Sequence, residues 1–342
     1  MPSFRTATVT AIISQRTGIE RVETDAGPAF VLTQLTGPVA VGDEVVLNTT
    51  AVELGLGTGG WHVVHWNLSR REWAEPGTGH IMKLRYTSLQ ADVGAAEEEL
   101  GDSDEIDHRG DLDDMPVVVC SLHSQVAPVA GAVRALRPEA VIAYVMTDGA
   151  ALPLALSDLV AGLTSAGFLD HTLTAGHAFG GELEAVNVPS ALSLARHRLG
   201  ADVVIVAMGP GVVGTGTRLG TTALEVAPTL DAAAWLGGQP IACVRVSDAD
   251  QRARHSGVSH HTLTALDAVR SRVVVAALPG LFHDHLEVIA RHDVRVVTDP
   301  PDVAAALTRA GLTVTTMGRG PDVEPRFFAA AAAAGVLAAG LL

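Results

Sequence analysis

The glycine-rich run Gly209–Thr217, called the glycine loop below, is the sequence feature with the clearest chemical implication. It directly follows the apolar stretch Val203–Ala207. Glycines let a backbone come close to a ligand, and free N–H groups beyond a buried strand can point at an anion. The sequence therefore predicts an anion site here, formed by Gly209, Gly211, Gly214, Thr215 and Gly216.

The spacing of these glycines also matches the G-x-G-x-x-G pattern of dinucleotide-binding folds. However, Pro210 lies inside the turn, and no acidic residue ends a strand about twenty residues later to bind a ribose. No lysine follows the glycines as in a P-loop. The pattern favours a general anion site, leaves the cofactor unknown, and would also suit a tight crossover packed with small residues.

Four side chains are candidates for catalysis. Glu182 follows His177 by five residues, and a carboxylate beside a histidine can act as an acid/base pair, although a hairpin before a capped helix would explain the same residues. His260 follows another predicted strand and is a further acid/base candidate. Lys83 is the one lysine among 23 basic residues, and we expect it to reach the substrate from a linker between domains.

Polar residues near the ends of the other predicted strands extend the candidate site. Because the carboxyl ends of parallel strands meet at one edge of a sheet, these residues are expected to lie together. The further ligand-binding candidates are Thr147, Asp148, Asn187 and Ser259.

Histidines also flank two consecutive predicted strands, at His255, His260 and His261 and again at His283 and His285. The H-x-H spacing of the second group can place two imidazoles on one side of an extended segment, as a zinc ion requires. His285 equally suits a helix start, and His260 and His261 read as the start of another helix. The sequence therefore predicts no metal site.

Composition limits the classes of function. The net charge of the 342 residues is −15, which argues against a sequence-independent nucleic-acid binder. Both cysteines lie in apolar runs, as expected for buried thiols in a reducing cytoplasm. The apolar segment Phe327–Leu342 has 16 residues, against roughly 20 needed to span a membrane. We expect a docked helix there, packed within the subunit or across a homodimer.

The spacing of apolar runs predicts two domains joined by a linker. Residues 1–75 contain five short strands with frequent turns, which indicates a small antiparallel β-barrel. Residues 76–114 form a linker whose acidic tether, Asp92–Asp114, holds eleven carboxylates and one arginine. Residues 115–342 alternate strands and helices. This pattern favours a doubly wound, mostly parallel α/β domain, with a TIM-like barrel as the alternative.

The predicted strands of the α/β domain are Val117–Ser121, Ala140–Met146, Leu169–Ala175, Asp202–Ala207, Ile241–Val246, Val273–Ala276, Val294–Thr298 and Leu312–Thr316. Helix starts carry capping signals. Asn187 precedes Pro189, and Thr222 with Glu225 forms a predicted capping box.

Several of these segments together resemble the bacterial domain of unknown function DUF3866. The segments are Gly77–Thr87, Thr147–Pro153, Gly176–Asn187, the glycine loop and Gly257–Thr262. The resemblance covers nearly the whole chain but implies no activity. It implies a shared residue pattern that includes Lys83, His177, Glu182, Asn187, Ser259 and His260, and that lacks the element His283–His285.

These observations predict an enzyme, a hydrolase or transferase, that acts on a small phosphorylated or nucleotide-like molecule in a cleft between the domains. The partner is then a small molecule, with no nucleic acid and no membrane. The alternative is a non-catalytic ligand-sensing or assembly protein, in which the glycine loop serves only packing.

Overall fold

The computed structural model describes residues 1–77, 79–99 and 111–342. The chain divides into two compact units, Met1–Gly94 and Ala95–Leu342. Much of the predicted acidic tether, residues 100–110, lies outside the described residues.

The first unit contains the predicted barrel. Its strands are β1 (Phe4–Arg16), β2 (Ile19–Thr24), β3 (Gly27–Val31), β4 (Glu44–Asn48) and β5 (His62–Asn67). They close in the order β1-β2-β3-β5-β4, and every pair is antiparallel except β3 with β5. Alternating apolar residues such as Val9, Val22 and Leu47 fill the interior. The prediction of a small barrel is therefore confirmed.

Short elements complete this unit. They are helices α1 (Thr33–Thr36) and α2 (Thr50–Glu53) and the antiparallel pair of β6 (Met82–Lys83) with β7 (Ala91–Asp92).

The second unit is built on an eight-stranded sheet in which every pair is parallel. Its strands are β8 (Pro116–Cys120), β9 (Ile142–Thr147), β10 (His171–Ala175), β11 (Leu183–Ala185), β12 (Val203–Met208), β13 (Gln239–Cys243), β16 (Val274–Ala277) and β17 (Asp293–Val296). A separate hairpin pairs β14 (Val246–Ser247) with β15 (Gly257–Val258).

Helices cover both faces of this sheet. The helices of the unit are α3 (Val126–Leu136), α4 (Asp158–Ser165), α5 (Val188–His197), α6 (Val226–Trp235), α7 (His260–Ala268), α8 (Leu286–Ile289), α9 (Val303–Arg309) and α10 (Pro325–Ala339). Helices α5 to α8 share one apolar core with the sheet, and α3, α4, α9 and α10 share the other. Single 3-10 turns lie at Ala96–Glu99, His123–Gln125, Leu154–Leu156, Thr222–Glu225 and Ala253–His255.

The strand order, β11-β10-β9-β12-β8-β13-β16-β17, shows an open, doubly wound sheet, so the TIM-like alternative is wrong. The chain leaves β8 for β9 toward one edge of the sheet and leaves β13 for β16 toward the other. The loops that follow the neighbouring strands β8 and β13 therefore run in opposite directions, and a crevice forms between them at the carboxyl end of the sheet. Ligands of doubly wound folds bind at this position.

Three local predictions need correction. Residues 312–315 form a loop with a single bridge from Thr316 to Arg319, because Val314 packs among the covering helices instead of joining the sheet. Leu183–Ala185 is a strand, β11, that was not predicted. Thr221, and not Thr222, caps the turn Thr222–Glu225, because its side chain accepts a hydrogen bond from Ala223 N.

The alanine-rich helix α10 docks on the second unit, as expected. It packs against α3 so closely that a Cβ on Gly335 would lie 2.4 Å from the carbonyl oxygen of Val129. In the part of the chain that the structure describes, no helix is long and apolar enough to cross a membrane.

Candidate functional site

A pocket of about 450 Å³ lies where the loops after β8, β12 and β13 meet. We call it the central pocket. Its wall includes residues 122–124 after β8, five residues of the glycine loop, and residues of a segment from Arg245 to His261 after β13. Residues 313–317 close one side. All of its lining residues belong to the second unit.

The glycine loop contributes backbone to this pocket at two of its glycines. Gly211 has φ +97° with open space around its Cα, so the loop can turn without a side chain in the pocket. Gly214 faces His261, whose ring carbon Cε1 would lie 3.3 Å from an added Cβ. Thr215 also lines the pocket, and its hydroxyl lies 2.9 Å from that of Thr217.

Gly209 and Gly216, the other two predicted glycines, do not line the pocket. A Cβ on Gly209 would lie 2.3 Å from the carbonyl oxygen of Ala151, so this glycine permits a close crossing of two backbones. A Cβ on Gly216 would lie 4.0 Å from a guanidinium nitrogen of Arg254.

Three arginines line the pocket: Arg245, Arg252 and Arg254. We call residues 245–254 the arginine loop. Arg252 binds Asp250 with two hydrogen bonds of 2.7 and 2.9 Å, and these contacts lower the pKa of Asp250 strongly. Arg254 is exposed and has no carboxylate partner among the described residues.

Arg245 differs from the other two because its side chain is only 5% exposed. Its nearest carboxylate is Asp250 at 3.6 Å, which Arg252 already holds bidentately. Among the described residues, its guanidinium donates no hydrogen bond. Burial lowers the pKa of Arg245 to about 10, so it still carries a positive charge at neutral pH. The pocket therefore contains a desolvated cation with little compensation.

The buried carboxylate of Glu324 fixes the beginning of the arginine loop. Glu324 accepts hydrogen bonds from the Ser247 hydroxyl at 2.6 Å and from Asp248 N at 3.2 Å. It also forms an ion pair with Arg319 at 2.7 Å. These contacts tie the loop to the residue that precedes α10.

Three imidazoles cluster beside the arginines: His255, His260 and His261, called the histidine triad below. Their ring centroids lie 4.3 to 5.0 Å apart. One nitrogen from each ring lies within 4.8 Å of the others. His255 and His261 line the central pocket.

Ser259 positions the triad. Its side chain caps the first turn of α7 by accepting a hydrogen bond from His261 N, so that His260 and His261 begin the helix. The same hydroxyl lies 2.8 Å from Nδ1 of His255. Ser259 is fully buried and does not line the pocket, so in the structure it positions the triad, and its predicted binding of a ligand stays a prediction.

The triad is uncharged at neutral pH. Burial and the neighbouring arginines lower the pKa of His255 to about 3 and, together with His260, that of His261 to about 4. The pKa of His260 is lowered for the same reasons, burial first and then Arg254. Neutral imidazoles with such low pKa values are weak proton acceptors but retain the lone pair that a metal ion needs.

His123, on the opposite wall, is held in a hydrogen-bond network. Its Nε2 lies 2.7 Å from the Ser157 hydroxyl, and its Nδ1 lies 3.2 Å from the Tyr144 hydroxyl. Burial lowers the pKa of His123 to about 4. The neighbouring Ser124 hydroxyl bonds Thr316 at 3.2 Å.

The predicted residues at the ends of β9 and β10 form a separate group. Asp148 accepts a hydrogen bond from His177 N at 2.9 Å, and the Thr147 hydroxyl donates to Glu225. Burial, with a smaller contribution from Asp148, raises the pKa of Glu225 to about 7. Neither Thr147, Asp148 nor His177 lines the central pocket.

The predicted pair of His177 with Glu182 is not the pair that the structure contains. The carboxylate of Glu182 is exposed and lies 2.9 Å from Nδ1 of His171. The reason is the parallel pairing of β10 with β11, which sets the turn before Leu183 alongside the start of β10.

Two further residues predicted for the site, Asn187 and Lys83, lie outside the central pocket. Asn187 caps α5 by accepting a hydrogen bond from Ser190 N at 2.9 Å. Lys83 is buried within the first unit, at 1% exposure. Its approach to a substrate from the linker stays a prediction.

Sequence reasoning missed the arginine loop and set aside the triad. The sequence does show a cluster that indicates both groups. Three arginines lie within ten residues of this acidic chain, and three histidines lie within the next seven residues. The β14–β15 hairpin brings the two groups to one pocket, and its two-residue strands gave no periodic pattern.

The chain belongs to the family described as Protein of unknown function (DUF3866), whose model matches residues 28–335. This match confirms the resemblance seen in the sequence. No curated protein and no solved structure matches the chain. The family description assigns no activity.

Proposed function

We propose that this DUF3866 protein is an enzyme that binds a small phosphorylated molecule in the central pocket. The observation that carries the proposal is Arg245, a buried cation whose guanidinium donates no hydrogen bond among the described residues and whose nearest described carboxylate, Asp250, is already paired with another arginine. Isolated buried charge is costly unless a partner of opposite sign compensates it. A phosphate group is such a partner, because a guanidinium can bind it bidentately.

Three further features support a small anionic ligand over an apolar one. Arg252 and Arg254 add two more cations to one wall, whereas Asp250 is the carboxylate close to them. The backbone at Gly211 has open space where a side chain would lie, which leaves room for close approach by ligand oxygens. A volume of about 450 Å³ matches a small metabolite.

The reaction class is a hydrolase or transferase, in keeping with a doubly wound sheet that binds its ligand at the switch point. His260, the candidate acid/base residue from the sequence, belongs to the triad beside the pocket, but its lowered pKa makes it a weak proton acceptor, so this proposal assigns it no proton transfer. Lys83 belongs to the first unit and does not line the central pocket, so this proposal gives it no role there.

The test is direct binding followed by turnover. Isothermal titration of the full chain with inorganic phosphate, pyrophosphate and nucleoside monophosphates is expected to give saturable binding that weakens with salt. Arg245→Gln should weaken it, and Arg295→Gln, which alters an arginine on the edge strand β17, should not. Absence of binding by the whole panel would refute the proposal.

A turnover assay distinguishes an enzyme from a non-catalytic ligand-sensing protein. Phosphorylated compounds that bind are then incubated with the chain, and product is followed by ³¹P NMR. Binding with no product from any compound would favour the non-catalytic ligand sensor.

A further inference from the structure

We propose that His255, His260 and His261 bind a divalent transition-metal ion, with Zn²⁺ the best match. This site goes beyond the proposed function and does not depend on phosphate binding. Three imidazoles that leave one coordination position open are a common zinc ligand set.

The geometry supports a shared ion. One ring nitrogen of each histidine lies within 4.8 Å of the others. Ligands at about 2.0–2.1 Å from a tetrahedral zinc ion lie about 3.4 Å apart, so the rings must rotate inward when the ion binds. The Ser259 hydroxyl at Nδ1 of His255 fixes that ring and leaves Nε2 as the nitrogen for the ion. A hydrogen bond to the second nitrogen of a metal-bound histidine is the usual supporting contact.

The strongest evidence is two unsatisfied nitrogens. Nε2 of His260 and Nδ1 of His261 are buried and have no hydrogen-bond partner among residues 1–77, 79–99 and 111–342. A buried polar atom without a partner is energetically costly, so such atoms are rare in folded proteins. Two of them on adjacent residues of one triad are explained if both lone pairs coordinate an ion.

The arginine loop sets a condition on the site. Its cations disfavour a divalent ion through like-charge repulsion. The fourth coordination position faces the pocket side of the triad, since both His255 and His261 line the pocket. A water or a phosphate oxygen there would complete the coordination, and an anionic ligand would offset the repulsion.

The experiment uses the full chain after chelator treatment and dialysis into phosphate-free buffer. Titration with Zn²⁺ is expected to show one ion bound per chain, and Co²⁺ as a spectroscopic probe should give the intense visible bands of a four-coordinate nitrogen site. His255→Ala and His260→Ala should each weaken Zn²⁺ binding by about 100-fold or more. Circular dichroism of the metal-free variants verifies that they are folded.

The matched control is the double variant His283→Ala with His285→Ala, which removes the H-x-H element outside the pocket and should leave Zn²⁺ binding unchanged. Absent binding to the wild-type chain, binding that survives loss of a triad histidine, or binding lost in the control would each overturn the proposal. If a triad variant does not fold, X-ray absorption of the Co²⁺-loaded wild-type chain decides, with three imidazole ligands expected and fewer refuting it. Phosphate titration of the metal-free chain tests the proposed function separately.

Discussion

Replacing Arg245 by glutamine should separate ligand affinity from stability. In a buried ion pair, removal of one partner usually costs 3–5 kcal/mol, because the other charge is left uncompensated. Here Asp250 keeps both hydrogen bonds from Arg252, so Arg245→Gln leaves no orphaned carboxylate. The substitution also removes a desolvated cation. We therefore expect the free energy of unfolding of the ligand-free chain to change by less than about 1 kcal/mol.

The same substitution should be costly for phosphate binding. A charge-assisted hydrogen bond contributes about 1.5–3 kcal/mol, and the guanidinium of Arg245 is buried where screening by water is weak. Taking about 2 kcal/mol, the affinity for pyrophosphate should fall about 30-fold.

Arg252→Gln provides the contrast. It leaves Asp250 with Arg245 at 3.6 Å as its remaining cation, so the free energy of unfolding should fall by about 2 kcal/mol. Calorimetric titration with pyrophosphate gives the affinities, and urea unfolding gives the stabilities. The reasoning is refuted if Arg245→Gln binds pyrophosphate like the wild-type chain, or if it destabilises the chain as much as Arg252→Gln does.

Three further predictions follow from the structure. The pKa of Glu225 in the folded chain, about 7, exceeds its ordinary value of 4.5, so the folded state binds a proton more tightly than the unfolded state does. The free energy of unfolding of the wild-type chain should therefore fall by up to about 3 kcal/mol as the pH rises from 4.5 to 7. In urea unfolding, Glu225→Gln should abolish most of this fall, whereas Glu182→Gln should not. Phosphate and Zn²⁺ should each raise the affinity of the chain for the other by about tenfold, the two factors being equal because linkage requires it, and titrations that show no coupling or a weakened affinity would contradict the charge argument. Gly209→Ala should destabilise the chain by about 2 kcal/mol or more because its Cβ meets a backbone carbonyl. Gly42→Ala, whose Cβ meets no atom but whose φ is +94°, should cost about 1 kcal/mol through backbone strain alone, and thermal unfolding that ranks the two in the reverse order would count against this account.

The strands of the second unit were predictable because of burial on both faces. Val203–Met208 is fully buried, and a strand buried on both faces has an uninterrupted apolar sequence. The prediction of a strand at Leu312–Thr316 was wrong, because a short apolar and β-branched run also occurs in loops that pack under helices. The order of the strands, which places β8 between β12 and β13, is set by tertiary packing and leaves no local signal.

The candidate site was half predictable. Gly211, Gly214 and Thr215, which were predicted from their position after a buried strand, line the central pocket, and their binding of a ligand stays a prediction. The pairing of Glu182 with His171 could not be read from spacing, since it depends on the register of β11. The approach of His255 to His261 depends on a hairpin too short to leave a pattern.

The central position of β8 has a consequence for the rate of folding. Val118 of β8 pairs with Ile205 on one side and with Ile241 on the other, both far along the chain. Contacts between such distant segments are slow to form, because a long loop must close before they contribute any stability. The crevice between these strands is therefore expected to be assembled late, and an intermediate that lacks the pairing of β8 with β13 should bind no ligand however complete its helices are.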